Sequence, residues 1–271
     1  MAHASPVFPV ARMTAFDALL LGLLQGFTEF LPVSSSGHLV LAETFLGTGI
    51  PARLQSFDIF LHAGSLFALL LAYPVLWWRM LRSLCTRESK PRHLLLVIVL
   101  ASVPAAVAGV LFEGMIAAQL RSPSSVAIGF VITAVVLLLA ERIPQRTDLS
   151  RISWMHALLI GLAQACALPP GISRSGLTIA AARALGWRRE VAVEFSFLLA
   201  VPVIAGASLF ATRDLLDGAT LPSLPVLSAG VLSSFGASLL AVLFLRAMVR
   251  RFSLAWFALY LIPLSILLLA R

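Results

Sequence analysis

The chain reads as an all-α integral membrane protein with six transmembrane helices, two re-entrant broken helical segments and inverted-topology repeats. Three observations predict this class: apolar stretches of bilayer-spanning length, cations gathered in short loops between them, and an internal repeat of two polar segments. Of 271 residues, 60% are hydrophobic and 12% charged, against about 25% charged in ordinary soluble domains. The net charge of +8 does not point to nucleic acid, because the basic residues follow the loop pattern that sets membrane topology.

The first element is the broken segment 22–37, Gly22-Leu-Leu-Gln25-Gly-Phe-Thr-Glu29-Phe-Leu-Pro32-Val-Ser34-Ser35-Ser36-Gly37. The segment 161–176, Gly161-Leu-Ala-Gln164-Ala-Cys-Ala-Leu-Pro169-Pro170-Gly171-Ile-Ser173-Arg174-Ser175-Gly176, repeats it 139 positions later, with six of sixteen ungapped positions identical. A short apolar helix that breaks at Pro or Gly and runs into a Ser/Gly turn cannot face lipid, because its freed backbone groups need partners or a cavity. A pair of such segments in corresponding halves points to a site near the midplane. The crossings follow at 57–78, 93–112, 125–140, 191–211, 223–245 and 252–270, each near the ~20 residues that span ~30 Å of hydrocarbon.

Four loops carry fourteen of the twenty Lys and Arg residues: Arg79, Arg82, Arg87, Lys90 and Arg92; Arg142, Arg146 and Arg151; Arg183, Arg188 and Arg189; Arg246, Arg250 and Arg251. With those loops cytoplasmic, both termini lie outside, and Arg12, Arg53, Arg121, Arg213 and Arg271 fall on the other face. Arg174 is then the one cation inside an apolar region. The broken segments enter from opposite faces, so their turns meet in the middle. The whole chain, 1–271, is expected to form a single membrane domain with one half at 1–145 and the inverted half at 146–271.

The N-terminus lacks a clean cleavage site after its apolar run and is expected to be retained. Cys85 and Cys166 lie in different elements and supply neither a disulfide nor a metal framework.

Gln25 and Glu29 are four residues apart and share one helix face. An ionisable group at the bilayer centre costs roughly 2.5–3.5 kcal/mol on insertion scales, so Glu29 is expected to face a cavity or a partner. Ser34, Ser35, Ser36, Gly37 and His38 follow at once. A hydroxyl could simply cap the next helix, but three hydroxyls with a Gly and an imidazole exceed that need, and a helix N-terminus also holds anions. His62 reads as a satisfied core histidine, and Asp58 and Glu194 as helix-end polarity. Ser173-Arg174-Ser175-Gly176 sets a guanidinium between two hydroxyls, a fork suited to bidentate contact with phosphate oxygens. Together these residues offer an anion clamp, a nucleophile with a base, and Glu29 as a carboxylate ligand for a hard divalent cation. A phosphate borne on a lipid is the natural cargo, since an apolar tail can reach a midplane cleft sideways from the bilayer.

The runs Gln25-Gly-Phe-Thr-Glu29-Phe-Leu-Pro-Val-Ser-Ser-Ser-Gly-His38 and Pro170-Gly-Ile-Ser-Arg174-Ser-Gly176 closely resemble the two signature motifs of the undecaprenyl-diphosphate phosphatase family associated with bacitracin resistance. The resemblance extends to Glu194-Phe-Ser-Phe-Leu-Leu-Ala-Val-Pro202 and to the hydrophobic layout of nearly the whole chain. It implies removal of the terminal phosphate from undecaprenyl diphosphate at the periplasmic side of the bacterial inner (plasma) membrane, recycling the lipid carrier of cell-wall synthesis. It also implies Glu29, Ser35, His38 and Arg174 as catalytic residues, with Gln25, Ser34, Ser36, Ser173 and Ser175 lining the substrate site. A divalent cation, Mg2+ or Ca2+, is the implied cofactor. Where the family carries Glu or Gln, this chain has Gln25, leaving one carboxylate fewer for that ion.

A second family of lipid phosphatases shares a Ser-Gly-His run, but its Lys-x6-Arg-Pro motif is absent: the only lysine is Lys90. The expected partners are a prenyl diphosphate lipid and the bilayer, with no nucleic acid and a homodimer left open. A lipid-phosphate transporter or flippase is the alternative reading, because inverted repeats with broken helices also describe secondary transporters. A carrier has no need of a nucleophile, and either Ser35 or His38 could serve as one here.

Overall fold

Pro and Gly punctuate the apolar sequence into eleven helices among the described residues, which in this computed structural model are 13–45, 51–86, 88–144, 152–216 and 222–270. Arg12, Arg87, Arg146, Arg151, Arg271 and the 145/146 boundary between the expected halves lie outside them. The helices are α1 (Ala15–Phe30), α2 (Ser35–Phe45), α3 (Pro51–Ala72), α4 (Pro74–Thr86), α5 (Ser89–Gln119), α6 (Pro123–Glu141), α7 (Trp154–Ala165), α8 (Arg174–Ala184), α9 (Arg189–Leu216), α10 (Leu224–Met248) and α11 (Ala255–Leu269).

The two repeated segments fold as helix, break, helix. Thr14 and Asp17 form a capping box at the start of α1: the Asp17 N–H donates to Thr14 Oγ1 at 3.1 Å, and the Thr14 N–H donates to Asp17 Oδ2 at 2.9 Å. Pro32 disfavours helical geometry at the residue before it, and Leu31 is extended at φ −67°, ψ 143°. Ser34 then takes φ 69°, a left-handed conformation costly for a residue with a Cβ, and α2 begins. In the second unit, α7 ends at Cys166, and the chain turns through Pro169, Pro170 and Gly171 before α8 starts at Arg174, capped by Ser173. Gly171 sits at φ 93° with its backbone against α6, where a Cβ would stand 2.9 Å from Val126 Cα. No other residue fits that turn.

Four helical stretches among the described residues are long and apolar enough to cross a membrane: Ser89–Phe112, Pro123–Glu141, Arg189–Leu209 and Leu224–Met248. The chain is thus a multi-pass, all-helical membrane protein. The expected crossing at 57–78 is not one straight helix. Pro74 lacks an N–H and its ring crowds the preceding turn, so Phe57–Ala72 and Pro74–Thr86 are bent by 83°. The expected crossing at 252–270 yields α11 of 15 residues, roughly 22 Å at 1.5 Å per residue. Pro104, Pro202 and Pro263 lie inside α5, α9 and α11, as intramembrane helices tolerate.

The molecule is apolar outside and encloses polar groups within a mainly apolar core. Val99, Val103, Val107, Val110 and Leu111 are exposed along α5, whereas Gln25, Glu29, Ser65, Thr133, Gln164, Ser234 and Ser238 are buried. Buried hydroxyls join α1, α3 and α10: Ser238 Oγ donates to Ser65 Oγ at 2.9 Å and to Gly26 O at 3.4 Å, and Ser234 Oγ donates to Leu61 O at 2.6 Å. Small residues and interhelical hydroxyl bonds are the means by which helices pack where lipid is as apolar as leucine. The main apolar core includes Phe30, Phe130, Trp187, Phe195 and Phe197.

Arg183 corrects the loop reading. It lies in the last turn of α8, 1% exposed, where Nη1 donates to Trp187 O and Nη2 to Ile143 O, each at 2.6 Å. Arg174 is therefore not the one cation buried in the fold. The difference is chemical: Arg183 is consumed by carbonyls at a helix C-terminus, where a cation is favoured, while Arg174 meets a carboxylate.

Candidate active site

The two turns meet. Gly37 in the first turn of α2 packs on Gly171, so closely that a Cβ on Gly37 would lie 2.9 Å from Gly171 Cα and 2.7 Å from the Phe130 ring. Ser175 Oγ in α8 donates to Leu31 O at 3.1 Å, satisfying a carbonyl freed by the end of α1.

Glu29, in the last turn of α1, is the centre of the junction. Its Oε1 is 2.5 Å from Arg174 Nη2, and its Oε2 accepts from Ser35 Oγ at 2.7 Å and from Gln25 Nε2 at 2.9 Å. His62 Nε2 of α3 stands 3.5 Å from the same Oε2. Each contact follows from helix geometry. Gln25 precedes Glu29 by one turn of α1, Ser35 opens α2 directly beyond the Leu31–Ser34 break, and Arg174 opens α8. The buried carboxylate is thus paired with the Arg174 guanidinium, which offsets the cost of removing it from water.

Exposure divides the expected catalytic and substrate-lining residues. Ser35, Ser36 and Arg174 are partly open, whereas Gln25, Ser34, Ser173 and Ser175 are buried. The buried serines hold the turns: Ser173 Oγ accepts from the Gly176 N–H at 3.0 Å and lies 3.2 Å from Ser175 Oγ, and Ser34 Oγ accepts from the Gly37 N–H at 3.4 Å. The Ser173 N–H donates to Thr133 Oγ1 at 2.9 Å, which in turn donates to Gly171 O at 3.2 Å.

His38 is not brought to the carboxylate. Its Nδ1 is 2.7 Å from Ser34 O and its Nε2 2.8 Å from Tyr260 Oη, and the ring stacks on Tyr260 at 5.8 Å and an interplanar angle of 12°. A carbonyl can only accept, so Nδ1 donates to Ser34 O, and neutral Nε2 accepts from the Tyr260 hydroxyl. The imidazole fixes the carbonyl of the strained Ser34, one residue before Ser35. His62, expected to be an ordinary core residue, occupies the place beside Glu29 instead. Its Nδ1 donates to Asp58 O at 2.7 Å, so its contact with Glu29 is attractive only when Nε2 also carries a proton. The side chain is 29% exposed, open enough for a ligand to reach.

Sequence reasoning also missed Thr178 and Ser196. Thr178 Oγ1 donates to Arg174 O at 2.9 Å and lies 2.7 Å from Ser196 Oγ, while Arg174 Nη1 reaches Ser196 O at 3.5 Å. The signal for Thr178 was its place four residues after Arg174, on the same face of α8. For His62 it was a lone imidazole in an apolar stretch, one turn after Asp58.

Among the described residues no group of three or more His, Cys, Asp or Glu side chains could hold a metal ion. One donor nevertheless stands free: Gln25 Oε1 is buried without a hydrogen-bond partner, while its Nε2 donates to Glu29. A neutral amide oxygen beside a carboxylate is a hard-cation donor pair, too small for an all-protein cage but suited to an ion that takes its other ligands from water and substrate phosphates.

The chain matches the family described as bacitracin resistance protein BacA over residues 18–267. It is 38% identical over 263 residues to an undecaprenyl-diphosphatase of Alcanivorax borkumensis, covering 95% of this chain and 98% of that protein. It is 40% identical over 270 residues to an undecaprenyl-diphosphatase of Geotalea daltonii and 37% identical over 258 residues to one of Elusimicrobium minutum, with the same coverage in both cases. A family match across almost the whole length, with Gln25, Glu29, Ser35 and Arg174 of the signature runs drawn into one junction, leaves one conclusion: this chain belongs to the BacA family.

Proposed function

We propose that this protein hydrolyses undecaprenyl diphosphate to undecaprenyl phosphate and inorganic phosphate, recycling the lipid carrier of bacterial cell-wall synthesis and conferring resistance to bacitracin. The observation that carries the reading is the 2.7 Å hydrogen bond from the Ser35 hydroxyl to a carboxylate that also pairs with Arg174. A hydroxyl donating to a buried base beside a guanidinium suits phosphoryl transfer, and a simple carrier has no use for it.

In this mechanism the diphosphate draws the Arg174 fork from Glu29 onto the terminal phosphoryl oxygens. Freed of that pairing, Glu29 becomes more basic and accepts the Ser35 proton as Oγ attacks the terminal phosphorus. The Oγ–P bond forms, the bridging P–O bond breaks, and its electron pair leaves on the oxygen of the lipid monophosphate. Glu29 passes the Ser35 proton to that leaving phosphate oxygen and is again a carboxylate; water then attacks the phosphoserine, Glu29 takes the water proton and hands it to Ser35 Oγ as the Oγ–P bond breaks, and inorganic phosphate departs. His38 supports the Ser34–Ser35 turn and does not attack, since both ring nitrogens are engaged. Ser36 and His62 contact the phosphates. A divalent cation, Mg2+ or Ca2+, would be held by Glu29 and Gln25 Oε1, and when bound it supplies neutralisation of the phosphoryl charge.

The four long spans, the bent α3–α4 pair and the short α11 support six crossings, and the two helix-break-helix units support inverted repeats that enter from opposite faces. The cleft opens to the periplasmic side of the inner membrane, and its groups all come from one chain, so the chemistry is complete whether or not a homodimer forms. The test is phosphate release from undecaprenyl diphosphate by the purified, detergent-solubilised protein. Binding or transport of the lipid without release of phosphate would refute the proposal.

A further inference from the structure

Where α10 ends and α11 begins, the chain leaves a groove of about 700 Å³, walled by Phe244, Met248, Phe252, Trp256 and Phe257 and completed by Arg250 and Arg251. Both arginines are exposed, and neither has an ion-pair or hydrogen-bond partner for its guanidinium among the described residues. No Asp or Glu occurs anywhere in 218–271. Glu141, the carboxylate that Ser253 reaches, is already taken: Arg189 Nε and Nη2 donate to it at 3.0 and 2.5 Å, and Ser253 Oγ at 2.8 Å. Two guanidinium charges at the mouth of an apolar groove are therefore left for an anion from outside the chain.

Position selects the kind of anion. The arginines follow directly on the span Leu224–Met248, which puts them at a membrane surface. Phe252 and Trp256 are 53% and 59% exposed there, as interfacial aromatic residues are. From the groove the apolar surface continues down α10 through exposed Phe244, Leu243 and Leu240. A molecule matching this surface has an anionic head for the guanidinium pair and long apolar chains that run into the bilayer. A soluble phosphate or acidic peptide would leave the aromatic walls unused.

We propose that this groove is a binding site for an anionic phospholipid of the leaflet that faces the basic loops, its phosphate held by Arg250 and Arg251 and an acyl chain lying against Phe244 and Trp256. Basic pockets between transmembrane helices are the recurring form of such sites. The proposal needs only a membrane-embedded chain and is independent of the phosphatase reading. Bound lipid braces α11, whose Tyr260 holds His38.

The test uses the full-length protein in nanodiscs with a photoactivatable phosphatidylglycerol and a phosphatidylcholine bearing the same photoactivatable acyl chain, labelled peptides being mapped by mass spectrometry. The phosphatidylglycerol probe is expected to label residues within 244–257 about tenfold or more above the phosphatidylcholine probe, a comparison that requires no variant. Arg250→Gln with Arg251→Gln is expected to remove that excess and the thermal stabilisation given by phosphatidylglycerol. Arg79→Gln with Arg82→Gln, which deletes two exposed cations from α4, is expected to change neither. Equal labelling by the two probes, full labelling of the groove variant, or an equal loss in the α4 variant would each overturn the site.

Discussion

Glu29 Oε1 and Arg174 Nη2 lie 2.5 Å apart although the residues are separated by 145 positions, and this ion pair joins the last turn of α1 to the first turn of α8. Removing either partner strands the other charge in a buried site, so the pair ties assembly of the fold to assembly of the candidate active site.

Arg174→Lys keeps the charge and loses the planar fork. Turnover of undecaprenyl diphosphate is expected to fall about a hundredfold or more, nearly as far as in Arg174→Ala, because a single ammonium cannot hold two phosphoryl oxygens in place. Steady-state phosphate release checks it, and near-normal turnover in the Lys variant would remove the bidentate role.

Glu29→Gln preserves shape and removes the base. A drop of about 10²–10⁴-fold in kcat is expected, with a lowered melting temperature because Arg174 loses its counter-charge but unchanged elution from a size-exclusion column. Rapid quench of the wild type with labelled substrate is expected to trap an acid-stable phosphoserine at Ser35. Cleavage in a single turnover without such an adduct, and with inversion at phosphorus, would mean that water attacks directly.

The two histidines should separate by readout. His38→Ala removes the ring donor from buried Ser34 O, which keeps only the longer 3.3 Å bond from the backbone N–H of residue 38, and takes the partner from Tyr260 Oη, at a cost of about 1–3 kcal/mol, so a lowered melting temperature in detergent is expected. His62→Gln should leave the melting temperature near that of the wild type and lower turnover, since His62 is partly open and touches Glu29. The opposite pattern would return the catalytic role to His38.

Chelation of divalent cations is expected to abolish turnover while leaving the melting temperature almost unchanged, because Gln25 Oε1 and Glu29 offer a partial site completed by substrate rather than a structural cage. Full activity in chelator, after dialysis, would exclude the cation from the reaction.

Topology is open to labelling. Cys85 and a cysteine placed at Ser122, each the only cysteine in its variant, are expected to react with a membrane-impermeant thiol reagent from opposite sides of the membrane, with Cys85 on the cytoplasmic side. Reaction from the same side would refute the arrangement of α4 and α5.

Much of this was legible in the residues themselves. Apolar run length set the membrane class, because the bilayer demands about twenty apolar residues per crossing. Proline and glycine at 32, 169, 170 and 171 marked the two helix breaks, because a missing N–H or a positive φ is a local constraint. The repeat of Ser/Gly turns indicated that they would meet, and Glu29, Ser35 and Arg174 do meet there. What the chain alone could not decide was which side of each residue faces the junction. His38 follows Ser35 closely in sequence, yet its ring turns to Tyr260, 222 positions away, while His62 arrives beside Glu29 from α3. Arg183 and Arg174 look alike as cations in one short helix, but Arg183 donates to the carbonyls of Trp187 and Ile143, and Arg174 to the carboxylate of Glu29. Local propensity fixes where a helix starts and stops. The partner of a buried polar group is fixed by whichever distant helix packs against it, and only the tertiary structure determines that.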